Sequence, residues 1–169
     1  MMMLDFRKEV ETMVIRNATA QDIPGILSLL KQVGKVHSDI RPDIFPANAL
    51  KYDHAALEKL LQDATRPIFI AEVDSAVAGY CFCVHQAVEN TALSVGRQEL
   101  YIDDLCVDEN HRRMGIARKL YDHTLAYAKA SGCNFVTLHV WNGNHSAVRF
   151  YEEMGMAPRY FMMEIPVEE

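Results

Sequence analysis

The residues with the clearest chemical potential form the pattern Arg112-x-x-Gly115-x-Ala117. A strand-forming apolar segment ends just before them at Val107, and a helical pattern runs from Gly115 to Ser131. The first N–H groups of a helix lack partners within it, and the helix dipole is positive at that end. A phosphate group binds well there, and small side chains let it approach the backbone. A solvated basic turn is the alternative, since dinucleotide and Walker-type glycine spacings are absent.

A second set of residues follows downstream. Leu138-His139-Val140 closes an apolar strand, and Asn144-x-x-Ala147-x-x-x-Tyr151 lies in a helical segment that ends before Gly155. Together with the arginine–glycine pattern, this segment resembles the signature of the GNAT superfamily of N-acetyltransferases. The resemblance implies an α/β fold with a mixed, mostly antiparallel central sheet, a parallel splay and flanking helices. It also implies direct transfer of an acetyl group from acetyl-CoA to a primary amine.

Acetyl-CoA is therefore expected as a co-substrate, with no metal. By resemblance, the pyrophosphate lies on the N–H groups from Arg113 to Ala117, and the pantetheine arm follows the main chain of Leu105 to Val107. A bulge in this strand belongs to the family pattern, and sequence alone does not show one. The cofactor-binding residues implied in this way are Leu105, Cys106, Val107, Arg112, Arg113, Met114, Gly115, Ile116, Ala117, Arg118, Asn144 and Tyr151.

Acetyl transfer makes three chemical demands. The amine must be neutral when it attacks, negative charge on the carbonyl oxygen must be stabilised, and the leaving thiolate must be protonated. By resemblance, Tyr151 is the acid, since a phenol with a pKa of about 10 gives a proton to a thiolate. A tyrosine that only packs within its helix is the alternative. Asn144 is expected to cap the same helix or to contact the cofactor.

The general base has several candidates. Tyr101 and His139 resemble a Tyr/His pair of some protein N-terminal acetyltransferases in the superfamily, and histidine titrates near neutrality. A buried, hydrogen-bonded strand histidine is the alternative for His139. Asp103 or Asp104 acting through water is another candidate base. The period of two in a strand places four residues on one face: Tyr101, Asp103, Leu105 and Val107.

The region between the first two helices is expected to shape the acceptor pocket, because loops often carry recognition. The candidates for substrate contact are His37, Asp39, Arg41, Phe45 and Asp104. A surface connection is the alternative for this loop. The expected acceptor is the amine of a protein or peptide N-terminus. The alternatives are a small-molecule amine (polyamine, amino acid or aminoglycoside) and a non-catalytic acyl-CoA-binding sensor.

Composition bounds the remaining possibilities. The 169 residues fit one N-acetyltransferase domain, 1–169, and a formal charge of −6 argues against nucleic-acid binding. No apolar run is long enough for a membrane span, and charges near the N-terminus argue against a signal peptide, so we expect a cytoplasmic protein. The four cysteines lack zinc-site spacing and are expected to be reduced and mostly buried. The segment Tyr160–Ile165 is expected either to pair across a homodimer or to complete the sheet.

Periodicity and turn residues predict the order of the elements. Helices are predicted at Thr19–Gly34, Ala49–Ala64, Gly115–Ser131 and Asn144–Met154. Strands are predicted at Met13–Asn17, Pro67–Val73, Val77–Val88, Arg97–Val107, Asn134–Val140 and Arg159–Ile165.

Overall fold

The computed structural model describes residues 12–167, so the charged N-terminal residues invoked against a signal peptide lie outside the described part. Contacts divide the chain into two compact units, one ending at His139 and one beginning at Val140. The elements of the first unit are β1 (Met13–Asn17), α1 (Ile23–Ile40), α2 (His54–Leu60), β2 (Ile68–Val73), β3 (Ala76–Val88), β4 (Arg97–Val107), α3 (Ile116–Ala130) and β5 (Phe135–Leu138). The second unit contains α4 (His145–Glu153).

The sheet of the first unit has the order β1-β2-β3-β4-β5. The first three pairs are antiparallel, and β4 pairs with β5 in parallel. A two-residue turn joins β2 to β3, with Asp74 and Ser75 both at positive φ, the conformation whose twist suits a tight hairpin. Parallel strands need a long crossover, which α3 supplies between β4 and β5. The predicted mixed, mostly antiparallel sheet is therefore confirmed.

Helices cover both faces of this sheet. On one face, the apolar side of α1 packs with Leu57 of α2 on Tyr80, Phe82 and Cys106. On the other face, Leu120 and Thr124 of α3 are fully buried. A Cβ on Gly79 would lie 3.1 Å from Ile116 Cγ2 and 3.0 Å from the Cys106 carbonyl oxygen. The absence of a side chain at Gly79 thus brings the start of α3 close to β3 and β4.

Helix α1 runs to Ile40 and does not stop at Gly34, where its end was predicted. A Cβ on Gly34 would lie only 2.7 Å from the Ala49 carbonyl oxygen, so this glycine serves the close approach of the α1–α2 connection. Helix α2 is shorter than predicted, because the Asp53 side chain accepts a hydrogen bond from the Ala56 N–H and caps the helix there. His37 consequently lies on a helix and not in a loop.

Two further expectations need correction. Residues 157–167 form neither helix nor strand, so the last strand predicted at Arg159–Ile165 is not found. A strand requires a hydrogen-bonded neighbour, and within the described part of the second unit only α4 is regular. Cys81, Cys83 and Cys106 are buried as expected, whereas Cys133 is only partly buried, with its Sγ 3.5 Å from His85 Nδ1.

Candidate active site

Strand β4 contains an irregularity that sequence periodicity does not reveal. Asp104 lies opposite Phe82 of β3, and Ile102 lies opposite Cys83, which leaves Asp103 as an extra residue. An extra residue of this kind is a β-bulge, and it shifts the inside–outside alternation of everything after it. The family-type bulge expected in this strand is thus present, and it lies at Asp103.

The bulge changes which side chains share a face. Tyr101 lies opposite Val84 and Asp104 lies opposite Phe82, and these two β3 residues are on the face that packs on α1. Leu105 lies opposite Cys81, whose Sγ accepts a hydrogen bond from Thr124 of α3, so it belongs to the other face. The expectation that Leu105 shares a face with Tyr101 is therefore wrong, since the simple period of two is broken at the bulge.

The bulge also lies just after the point where β4 loses β5 as its neighbour, because β5 ends at Leu138. The parallel pairing ends at Ile102 and Leu138, whereas β4 continues to Val107. The Asp108 N–H donates to the Ala78 carbonyl of β3, so alternation directs the main-chain groups of residues 107 and 105 away from β3. Those groups face the open edge of β4, meaning the side of residues 103–107 along which no described strand pairs with it. An extended ligand has the main-chain partners there that a further strand would use.

Helix α3 follows β4 along the chain, after the open edge ends at Val107. Gly115 caps the helix in the left-handed conformation, with φ at 78°, and a Cβ built on it meets no atom within 4 Å. Arg113 also has a positive φ, of 63°, a conformation that costs a non-glycine residue roughly 1–2 kcal/mol. The Lys119 N–H closes the first turn onto Gly115, which leaves the three preceding N–H groups without helical partners. This end of α3 can bind a phosphate.

The side chains around this helix start differ in what they can offer a ligand. Arg112, Arg113, Met114 and Arg118 are exposed, and Ala117 is partly buried. Ile116 is buried in the core, so it can contribute only its main chain. The Cys106 side chain is also buried, with its Sγ donating to the Leu29 carbonyl at 3.7 Å. Of the predicted cofactor residues in the first unit, these two therefore face the core through their side chains.

The two aspartates at the bulge have different environments. Tyr52 donates its hydroxyl hydrogen to Asp103 Oδ2 at 2.8 Å, and Lys51 Nζ lies 3.0 Å from Asp103 Oδ1 and 2.9 Å from the Asp103 carbonyl oxygen. Burial and the hydrogen bond to Asp103 raise the pKa of Tyr52 to about 12. Arg66 Nη2 lies 3.9 Å from the same carboxylate. Asp103 is thus held by several partners from the α1–α2 side.

Asp104 has fewer compensating contacts. Its Oδ2 accepts a hydrogen bond of 2.9 Å from the buried Tyr80 hydroxyl, and burial raises the pKa of Tyr80 well above its ordinary value. Removal from water raises the pKa of Asp104, and the positive charge of Lys51, the Tyr80 hydrogen bond and His37 only partly oppose this effect. A carboxyl group with a raised pKa holds and releases a proton nearer to neutral pH.

The predicted Tyr101–His139 pair is formed. The Tyr101 hydroxyl lies 3.1 Å from His139 Nδ1, and the two rings meet edge to face with centroids 5.4 Å apart. Tyr101 lies opposite Thr137, one residue before the parallel pairing of β4 with β5 ends. Tyr101, Asp103 and Asp104 therefore lie on the side of β4 that faces α1 and the α1–α2 connection, close to Ile102, where the parallel pairing ends.

The α1–α2 region contains the other residues predicted to contact substrate. His37 and Phe45 form a ring contact with centroids 5.1 Å apart, and the field of His37 reaches Asp104. Arg41 forms an ion pair of 2.6 Å with Asp43, and Asp39 forms one of 2.6 Å with Lys35. The structure thus brings His37 and Phe45 together near Asp103 and Asp104, which are called the acidic pair below.

Sequence reasoning missed Lys51, Tyr52, Arg66 and Tyr80. Lys51 and Tyr52 fell inside a predicted helix and carried no local signal. Their contacts with Asp103 join residues more than fifty positions apart, which only the packing of the α1–α2 connection on β4 reveals.

The second unit, described by itself, contains the remaining predicted residues. Asn144 caps α4, because its Oδ1 accepts a hydrogen bond of 3.2 Å from the Ala147 N–H. Tyr151 lies on the same helix, with its ring 5.1 Å from that of Phe150. Gly155, at a φ of 86°, ends the helix, and its N–H donates to the Glu152 carbonyl. The capping role considered for Asn144 is thus present, and the acid role of Tyr151 stays a prediction.

A family model described as the Acetyltransferase (GNAT) family matches residues 35–156. The chain belongs to this family. The GNAT match includes both the arginine–glycine pattern and the α4 segment on which the sequence resemblance was based. Among residues 12–167, no group of side chains is arranged to hold a metal ion, and no helix is long and apolar enough to cross a membrane.

This GNAT chain is similar in sequence to two curated proteins and in structure to one solved protein. It is 25% identical over 146 residues to an uncharacterized N-acetyltransferase of Methanocaldococcus jannaschii, covering 86% of this chain and 61% of that protein. It is 32% identical over 97 residues to the streptothricin acetyltransferase of Streptomyces lavendulae, covering 57% of this chain and 47% of that protein. The chain thus spans less than two thirds of either relative. A tetramutant of the BH1408 protein from Bacillus halodurans matches with a TM-score of 0.87 at 29% identity, covering 91% of this chain and 99% of that one.

Proposed function

We propose that this chain transfers an acetyl group from acetyl-CoA to a primary amine, without a covalent enzyme intermediate. The observation that carries the proposal is the open edge of β4, which begins after Ile102 and is followed along the chain by the start of α3. An acyl-pantetheine arm lies along this open edge as an extended strand, hydrogen-bonded to the main chain of Leu105 and Val107. Its phosphates lie on the first N–H groups of α3.

The acidic pair supplies the proton acceptor in this proposal. Asp104 takes a proton from the acceptor ammonium, directly or through water, because its raised pKa suits proton transfer near neutral pH. The freed amine attacks the thioester carbon, the N–C bond forms, and the C–S bond breaks. Tyr151 donates its proton to the leaving thiolate, a role carried over from the family resemblance, and regains one from water. The nitrogen of the new amide releases its second proton to water. Asp103 holds the bulge through Lys51 and Tyr52 and is not the base.

His139 is the second candidate base. It is paired with Tyr101, which resembles the arrangement of some protein N-terminal acetyltransferases and supports a peptide N-terminus as acceptor. The similarity to a streptothricin acetyltransferase supports a small-molecule amine instead. A His139→Ala variant distinguishes the two bases, because loss of the base removes the acid limb of the pH–rate profile, whereas loss of a packing partner does not.

Calorimetric titration with acetyl-CoA, CoA, ATP and NAD, followed by free-thiol release with a panel of amines, tests the proposal. Selective binding of CoA compounds with amine-dependent thiol release is the expected result. Tight binding of acetyl-CoA without release on any amine would identify an acyl-CoA sensor instead. Absence of CoA binding would refute the assignment of the open edge of β4 and the α3 start as the cofactor site.

A further inference from the structure

The charges around the bulge nearly cancel. The acidic pair contributes two carboxylates, Asp103 and Asp104. Lys51 and Arg66 approach Asp103 from the α1–α2 side at 3.0 Å and 3.9 Å. With both carboxylates ionised, this group of four side chains carries two negative and two positive charges. The side of β4 that faces α1 is therefore less anionic than its two consecutive aspartates suggest.

Lys51 is the main source of this compensation. Its Nζ contacts both the carboxylate and the carbonyl oxygen of Asp103, and its charge is the first to oppose the raised pKa of Asp104. The Lys51 side chain is 39% exposed, compared with 18% for Asp103, so solvent reaches the lysine more readily than the carboxylate that it pairs with. An acceptor that reaches Asp104 from solvent passes close to this positive charge.

The remaining surroundings are aromatic. The Tyr52 ring stacks on Phe82 with centroids 5.5 Å apart, and the Tyr80 hydroxyl is engaged by Asp104. His37 and Phe45 form a further ring contact. Such surroundings suit the uncharged part of an amine, because aromatic rings bury apolar surface and their hydroxyl groups offer hydrogen bonds.

We propose that the acceptor is a monocation: a compound with one amine next to an uncharged organic group, selected against polyamines and aminoglycosides by the charge of Lys51. This inference rests on the proposed acetyltransferase function and narrows its substrate class. Asp104 accommodates the single ammonium that reacts. A second ammonium near the first lies beside Lys51 and Arg66, where like charges repel and Asp103 is already paired.

Matched acceptors and matched variants of the full chain test the proposal. The acceptors are butylamine against 1,4-diaminobutane, and the C-terminal amides of the peptides Ala-Gly-Gly and Ala-Lys-Gly, assayed by free-thiol release. The wild-type kcat/KM is expected to favour the single-amine member by about tenfold, a typical size for one like-charge contact at a partly exposed site. In Lys51→Met this preference should fall at least about fivefold, mainly through a lower KM for the dication. Lys51→Arg should keep the preference, as should Lys59→Met, which removes an exposed lysine on α2.

Several results would overturn the inference while leaving the proposed function intact. One is a wild-type enzyme that acetylates the dications as well as or better than the monocations. Another is a Lys51→Met variant, folded by circular dichroism, that changes both members of a pair equally, since that would make Lys51 only a support for the bulge. Acetyl-CoA binding without acetylation of any amine would refute the proposed transfer itself, and the substrate class with it.

Discussion

Asn in place of Asp104 tests the proposed base, because the amide has the same shape but cannot accept a proton from an ammonium. General base catalysis is worth typically 10²- to 10⁴-fold, so we expect kcat to fall by about 10²-fold or more in Asp104→Asn. Acetyl-CoA affinity should stay unchanged, since the main chain of Leu105 and Val107 is untouched. The acid limb of the pH–rate profile should disappear. Free-thiol release between pH 5 and pH 9, with calorimetry for the cofactor, measures both quantities.

The same substitution should raise stability at neutral pH. Burial raises the pKa of Asp104 in the folded chain, so the folded state binds its proton more tightly than the unfolded state does. Stability from this group therefore falls as pH rises from the unfolded pKa of about 4 through the folded value. Asp104→Asn should therefore be more stable than the wild type at pH 7 and equally stable at pH 3.

Asp103→Asn is the matched control with the opposite expected sign. Asp103 accepts hydrogen bonds from Tyr52 and Lys51, and losing a charged acceptor of this kind costs about 1–3 kcal/mol. Urea denaturation followed by circular dichroism compares the two variants at each pH. Full activity in Asp104→Asn, or a loss of stability at pH 7 equal to that of Asp103→Asn, would refute the reasoning that separates the two carboxylates.

Three further outcomes are expected. Gly115→Glu should weaken acetyl-CoA binding in calorimetry by more than about tenfold, because it adds bulk and negative charge at the start of α3. Gly132→Glu, at a φ of 79° beyond the other end of α3, meets the same backbone strain and should leave binding intact; equal losses would contradict the phosphate site. Tyr151→Phe should lower kcat with little change in acetyl-CoA affinity, and an undiminished kcat would remove Tyr151 as the acid. Iodoacetamide should label Cys133 first in the native protein, as read by peptide mass spectrometry, since burial raises the pKa of Cys106 to about 12; earlier labelling of Cys106 would contradict the burial argument.

Local sequence signals identified most elements of the fold, because each rests on residues close together in the chain. The apolar run before Val107, the small residues at Gly115 and Ala117, and the Asn144 cap act through their own or neighbouring backbone. The end of α1 was missed for the opposite reason. Gly34 is small to admit the Ala49 carbonyl, a contact between two segments that no local pattern encodes.

The candidate site was only partly predictable. The contact between Tyr101 and His139 was expected from the family resemblance, and it is present. The period of two by itself assigns each residue only to a face of its own strand. Beyond Asp103 the period of two fails, and this one extra residue decides which side chains of β4 face α1. The compensation of Asp103 by Lys51 depends on where the α1–α2 connection packs, so the sequence showed two acids where the structure has an almost neutral group.

The close packing at Gly79 fixes the distance between the start of α3 and the bulge in β4. Ile116 at the start of α3 packs on Gly79, which lies opposite Val107, and the bulge at Asp103 lies four residues back along the same strand. At about 3.3 Å per residue, strand β4 holds Val107 and Asp103 about 13 Å apart. Loop motion between β4 and α3 leaves this spacing unchanged. In the proposed site, a carrier arm shorter than this spacing reaches only one of the two ends. Only an arm of matching length places its acyl group beside Asp104 while its phosphates lie at the start of α3.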